Sequence, residues 1–243
     1  FALRGEVARS SVNIDTAIVQ TGKTEIDLTA SGDLDQLNGQ LVVNDLPVAV
    51  AQLFYPLPAD ITGDLDVSTT FGGNLSNPVV QGEALVAETQ INGYPLNGIT
   101  ADFDYRNALL TLDSEVVVDA DVQPITVEGT IPYALPFATL SPPTEQLDVV
   151  VYVPARNLEI IYALTDRPVF WQCGQGEVVV EVGGTLSQPT VVGQASFRDG
   201  ALNSSLFKDD FTRINGEVVF NLQQIDVQQL QASFGDGQVA VYG

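Results

Sequence analysis

In the stretch ITGDLDVSTTF (61–71), Ile61, Gly63, Leu65, Val67, Thr69 and Phe71 fall on one parity, and Asp64, Asp66, Ser68 and Thr70 on the other. Side chains two apart share one face of a strand, so a period of two puts an apolar face opposite an acidic one. The pattern returns in Ile99, Ala101, Phe103 and Tyr105 against Asp102 and Asp104. After a turn near Arg106-Asn107 it resumes in Leu110, Leu112, Val116 and Val118 against Asp113, Glu115 and Asp119. Ile125, Val127 and Ile131 continue it, then Val178, Val180 and Val182, then Ile214, Val218, Phe220 and Leu222. Gly, Asn, Asp or Pro bounds each segment, which predicts about fourteen to sixteen half-buried strands.

Helical signal is confined to two short stretches, PVAVAQLF (47–54) and LEIIYAL (158–164), each followed by a breaker, YPLP or TDRP. They occupy corresponding places in a repeat. GGNLSNPVVQGEAL begins at Gly72 and GGTLSQPTVVGQAS at Gly183, 111 positions later. Leu46 and Leu158 stand in nearly the same relation, LNGITADFDY (96–105) parallels INGEVVFNLQ (214–223), and residues 1–34 resemble the closing strands. The division expected is one continuous β-repeat array: 1–34 the tail of a preceding copy, 35–145 one copy and 146–243 another, the whole reading as a segment of a longer chain. Repeats built of short strands favour an elongated array over a closed globule. In the recurring phrase, paired glycines permit backbone angles other residues resist, and Pro78 and Pro189 are expected to interrupt the ladder at a turn. A plain hairpin loop accounts for the same residues, though not for their recurrence.

The charge balance narrows the partners. Of 243 residues, 31 are acidic and 9 basic, a net charge of −22. Such a surface repels nucleic-acid phosphates and anionic headgroups, so a membrane lipid would be met by its tails. There is no histidine, which removes imidazole general bases, His-containing zinc sites and histidine triads. The single cysteine, Cys173, forms no internal disulfide and supplies no metal cluster, and it says little about redox compartment, since reducing and oxidising settings both tolerate one buried thiol. No apolar run approaches the roughly 20 residues a spanning helix needs.

Catalysis has few candidates. Asp64 with Asp66, and Asp102 with Asp104, lie about 7 Å apart along a strand face, a spacing compatible with glycoside hydrolysis. No pair stands out from the alternating acids around it, which read as a solvated face. VDADVQ (118–123) and FGDGQ (234–238) cluster oxygens of the kind calcium uses, but neither matches an EF-hand or a calcium β-roll repeat. No enzyme, metal or cofactor is expected.

The G-x-L-S-x-P-x-V-x-G-x-A phrase, the run LDVVVYVPARNLE (147–159) and the strand LNGITADFDY resemble the TamB family of bacterial envelope proteins, over nearly the whole chain. The Asp-rich strands are most similar to a cyanobacterial member. The resemblance implies an elongated, U-shaped β-taco whose concave face is apolar, with one or two very short helices. It implies a periplasmic location between the two membranes, a full-length protein anchored in the inner membrane, and an outer-membrane barrel of the Omp85 or TamA-like class as partner. It also implies a role in outer-membrane biogenesis, with phospholipid acyl chains carried along the groove.

The residues argue for a groove independently. A sixteen-carbon tail exposed to water forfeits on the order of 12 kcal/mol at about 0.8 kcal/mol per methylene. A continuous apolar trough supplies that shelter without reactive groups. The lining expected is Ile61, Leu65, Val67 and Phe71; Val80, Ala84 and Val86; Ile99 and Phe103; Leu110 and Leu112; Val127; Val178, Val180 and Val182; Phe197; and Val218 and Phe220. Phe54, Tyr55, Tyr162, Phe170 and Trp171 would plug or flank the trough, or simply pack. The competing architecture is a β-sandwich scaffold or adhesive module in which the same faces bury one another.

Overall fold

The computed structural model describes residues 2–7, 11–33, 35–51, 60–160 and 169–243. Among these, sixteen strands form one open antiparallel sheet. The first six are β1 (Ala2–Val7), β2 (Ser11–Thr21), β3 (Thr24–Asp33), β4 (Leu37–Pro47), β5 (Ile61–Asn74) and β6 (Asn77–Ile91). A two-residue β7 (Tyr94–Pro95) pairs with β6 and lies off the main path. There follow β8 (Gly98–Arg106), β9 (Leu109–Val117), β10 (Ile125–Pro132), β11 (Asp148–Pro154), β12 (Val169–Thr185), β13 (Gln188–Ser204), β14 (Phe211–Asn221), β15 (Ile225–Phe234) and β16 (Gly237–Tyr242). Apart from β7, every strand pairs with its neighbours in sequence. Fourteen steps of about 4.8 Å along the main path give a contour of roughly 70 Å.

The recurring phrase makes two equivalent hairpins. Gly73 pairs with Pro78 across the β5–β6 turn, and Gly184 with Pro189 across the β12–β13 turn. Both glycines have positive φ, 87° and 73°, where a Cβ is strained. The prolines do not interrupt the ladder as expected: each is the second residue of its strand and takes a partner. The equivalence extends outward, since Val67 pairs with Val43 and Val178 with Val153. Leu46 and Leu158 therefore do not correspond: Leu46 is a β4 residue opposite Leu65, whereas Leu158 follows a 3-10 turn at Ala155–Asn157.

Helix is minimal. The 47–54 stretch yields α1 (Val48–Ala51), with the rest of it outside the described residues. Of 158–164, only residues 158–160 are described. Both connections lie at the same end of the sheet, because β4 and β11 are six antiparallel steps apart and run in the same direction.

Extra residues bend the sheet. Asp45, Glu88, Asp199 and Arg213 have φ near +50°, and each lies at a register shift between neighbouring strands. Such bulges increase twist and curl the ladder. At Glu88 the bend is stitched by the next residue, buried Thr89, whose hydroxyl donates to the Val86 carbonyl at 2.7 Å.

There is one layer and no second sheet facing it among the described residues, so the sandwich arrangement is not what forms. Accessible surface is 14939 Å², where a compact chain of this mass exposes about 10,500 Å². Eight of the buried apolar side chains gather in two clusters toward the α1 end. One joins Ile91, Leu96, Ile125 and Ile160, and the other Ala155, Leu158, Val178 and Ala195.

Candidate functional site: an apolar trough

Antiparallel register puts directly opposed residues on the same face, so the pairings assemble the trough row by row. The central row runs Val19–Ile26–Val43–Val67–Ala84–Ala101 from β2 to β8. It continues Ser114–Val127–Val151–Val180–Gly193–Phe220–Ile225 to β15. Twelve steps make this row roughly 60 Å long, at right angles to the strands.

On one side of it, Leu65, Val86, Ile99, Val116 and Ile125 stand opposite one another in turn. Farther along that side come Val153, Val178, Ala195 and Val218. On the other side, Phe103 faces Leu112, and Val182 joins Val149 to Val191. Phe71, Val80, Tyr105 and Leu110 form a fourth row. Ile61 pairs with Ile91 beyond the Glu88 bulge and packs on the first cluster, and Phe197 lies between Gly176 and Gly216. All eighteen expected lining residues thus share one face. Of them only Val178 is buried and the rest are half-buried, as a face with no layer above it should be.

Polar interruptions are neutralised. The Ser114 hydroxyl donates to the Thr100 carbonyl and the Thr69 hydroxyl to that of Gln81, each at 2.7 Å, leaving methyl and methylene surface outward. Glycines are roofed by rings: a Cβ on Gly193 would come 2.1 Å from the Phe220 ring, and one on Gly39 2.3 Å from that of Phe71. The wall stays continuous because aromatic edges cover what glycine leaves bare.

The trough is not uniformly open. Residues 155–160 cross its floor over β10 to β13, with Leu158 1% and Ile160 4% exposed. This strap is tied by the Asn157 amide, donating to the Gln123 carbonyl at 2.7 Å. Tyr94 also holds it: burial first, then its hydrogen bond to Glu159, pushes the phenol up to about 12. Asn157 Oδ1 is buried without a partner, a penalty of about 1–3 kcal/mol that weakens the strap's hold. Beyond it, Leu158, Trp171, Phe197, Phe211 and Leu230 enclose about 330 Å³. Trp171 leans on Phe197 with centroids 5.5 Å apart, which makes it a flanking residue; Phe170 is 39% exposed, and Phe54, Tyr55 and Tyr162 lie outside the described residues.

The opposite face is acidic. Glu83, Asp102, Asp113 and Glu128 are directly opposed across β6, β8, β9 and β10. The pairs weighed for catalysis have structural partners: Asp66 accepts the Asp45 amide at 2.8 Å, and Asp104 accepts from Arg106 and Gln81. The Arg106 hydrogen bond holds the Asp104 carboxyl below its usual range. Asp119, in the first calcium candidate, caps its own turn through the Asp121 amide at 3.1 Å, and 234–238 is the β15–β16 hairpin. Among the described residues no three acids or cysteines converge as ligands, and Cys173 is exposed rather than buried.

Sequence reasoning missed Ile26, Val43, Val151 and Leu230 as lining, although each obeys the same alternation. It placed no residue of the strap on the trough floor. No family model, curated protein or solved structure matches the chain.

Proposed function

We propose that this chain is a lipid-conducting segment: acyl tails lie along the central row and advance across the strands while headgroups stay in water. One observation carries this reading. Apolar side chains, interrupted at Ser114 and Gly193 alone, stand in continuous register across thirteen strands on a face that no second layer covers among the described residues. Soluble monomers rarely expose apolar patches larger than a few hundred Å², so a face of this length implies an occupant. The −22 charge and the acid rows behind the trough keep the segment soluble and repel anionic membrane surfaces.

The resemblance to TamB proteins supplies the setting. The segment belongs in the periplasm, within a protein anchored in the inner membrane and meeting an outer-membrane barrel of the Omp85 class, where it supports outer-membrane biogenesis. Conduction needs no reacting group, and no enzymatic role is proposed.

The test is mass spectrometry of lipids co-purifying with the chain, followed by transfer of a fluorescent phospholipid between vesicles. Acyl species in the purified material and transfer above the protein-free rate are expected. A lipid-free protein that does not accelerate transfer overturns the proposal and favours a scaffold.

A further inference from the structure

We propose that the face opposite the trough carries an oligosaccharide-binding cleft across β12 to β15, flanked by Tyr152 and Tyr242. The cleft encloses about 690 Å³, within the range of small-molecule sites. It exists because two glycines fold the sheet. Gly176 and Gly216 have φ of 155° and 154°, and a Cβ on them would come 2.1 Å from the Ser196 carbonyl oxygen and 1.9 Å from that of Gln229. Only glycine lets the backbones approach so closely, and the polar side chains on either side converge over the crease.

One wall is a register row, Glu177–Ser196–Glu217–Gln229–Tyr242. The other is formed by Gln175 opposite Arg198 and Asn215 opposite Gln231. Tyr152 hydrogen-bonds Glu177 from β11, and Gln231 Nε2 donates to Tyr242 Oη at 3.2 Å. Tyr242 is 66% exposed, so its ring face is open. Arg198 forms no ion pair among the described residues.

The chemistry of the walls selects the ligand class. Glu177 and Glu217 are the two carboxylates of the lining, and among the described residues no three acids converge as the about 6–8 oxygen ligands of a hard cation would require. Two carboxylates against one guanidinium disfavour an anion. The backbone here is consumed by the ladder and the cleft has no apolar hole, so neither strand addition nor side-chain insertion by a peptide is served. Asn215 is held by the Asp199 amide and the Arg213 carbonyl, so what remains are the amides of Gln175, Gln228 and Gln229, each a donor and an acceptor, beside carboxylate acceptors and tyrosine rings whose apolar bodies carry a polar tip. That set matches the adjacent hydroxyls and C–H faces of a neutral sugar chain. This cleft is independent of the trough.

The experiment titrates the whole chain with a neutral N-acetylglucosamine hexamer and a glucose hexamer, read by amide NMR shifts. Saturable binding of at least one, with shifts confined to β11–β16, is expected. Glu217→Ala and Gln229→Ala should each weaken it about tenfold, with the thermal transition showing that both variants fold. Absence of binding by both hexamers at millimolar concentration, or binding unchanged in both folded variants, overturns the proposal. So does saturable binding at the cleft of a polar peptide but of neither sugar.

Discussion

Val180→Asp separates an open trough from a sealed core. Val180 stands in the central row between Val151 and Gly193 and is half-buried. Losing its apolar contact at half burial costs about 1 kcal/mol. The new carboxylate keeps water on its open side, so the desolvation penalty is partial and the total is about 1–2 kcal/mol. For a chain of this length that lowers Tm by roughly 2–8 °C at 2–4 °C per kcal/mol. Transit is affected far more, because an acyl tail crossing the row must strip that carboxylate of water, at several kcal/mol per ion. Phe103→Asp, one row over, should act in the same way. The assay pairs thermal unfolding with phospholipid transfer between vesicles, with Val180→Ala as the uncharged control. Transfer should drop at least tenfold in the charged variant and stay near wild type in the control. Loss of folding in Val180→Asp, which a buried unpaired charge would cause at more than about 4 kcal/mol, refutes the open-face argument; so does undiminished transfer.

Gly216→Ala should destabilise by about 3 kcal/mol or more in a denaturant titration, since its Cβ meets backbone at 1.9 Å under positive φ; Gly193→Ala, whose Cβ first meets the movable Phe220 ring, should cost about 1 kcal/mol, overpacking being partly offset by alanine's smaller chain entropy. Replacing Asp102 and Asp113 by Asn should raise Tm, because opposed like charges cost about 0.2–1 kcal/mol per pair, and added salt should narrow the difference from wild type. Tyr94 titrates near 12 when folded against 10.0 unperturbed; its contribution is intact below the unfolded value and is lost as pH rises from 10 to 12. Tyr94→Phe should therefore blunt the alkaline fall in stability over that window. Arg106→Ala should return the Asp104 carboxyl upward in an NMR titration. The part of the stability difference due to this ion pair should vanish once pH falls below the lowered value in the wild type.

Strand content and facing were legible because alternation is a local property: Leu65, Val67 and Phe71 declare their face by spacing alone. The hairpins at Gly73 and Gly184 were legible for the same reason, since a positive φ selects its residue. Register was not legible. It depends on bulges at Asp45, Glu88 and Arg213, ordinary residues in a conformation that no local signal marks, and each extra residue shifts its strand against its neighbour. The strap was half-visible, as an apolar stretch ended by a breaker, but its path over the trough is set by contacts with β10 to β13 far away in sequence. The polar cleft hid in DVQQLQ (226–231), which reads as a solvated strand until Gly176 and Gly216 crease the sheet beneath it. The exposure of Cys173 was not legible, because it follows from the register shifts of β12 against β13 and not from its own neighbours.

The decisive measurement is photo-crosslinking with a phospholipid carrying a light-activated group near its tail end, mapped by peptide mass spectrometry. Adducts should fall on the row through Val67, Val127, Val180 and Phe220, and leave the Glu83–Asp102–Asp113–Glu128 row bare. Adducts spread evenly over both faces, or none along that row, would contradict an apolar trough that carries lipid.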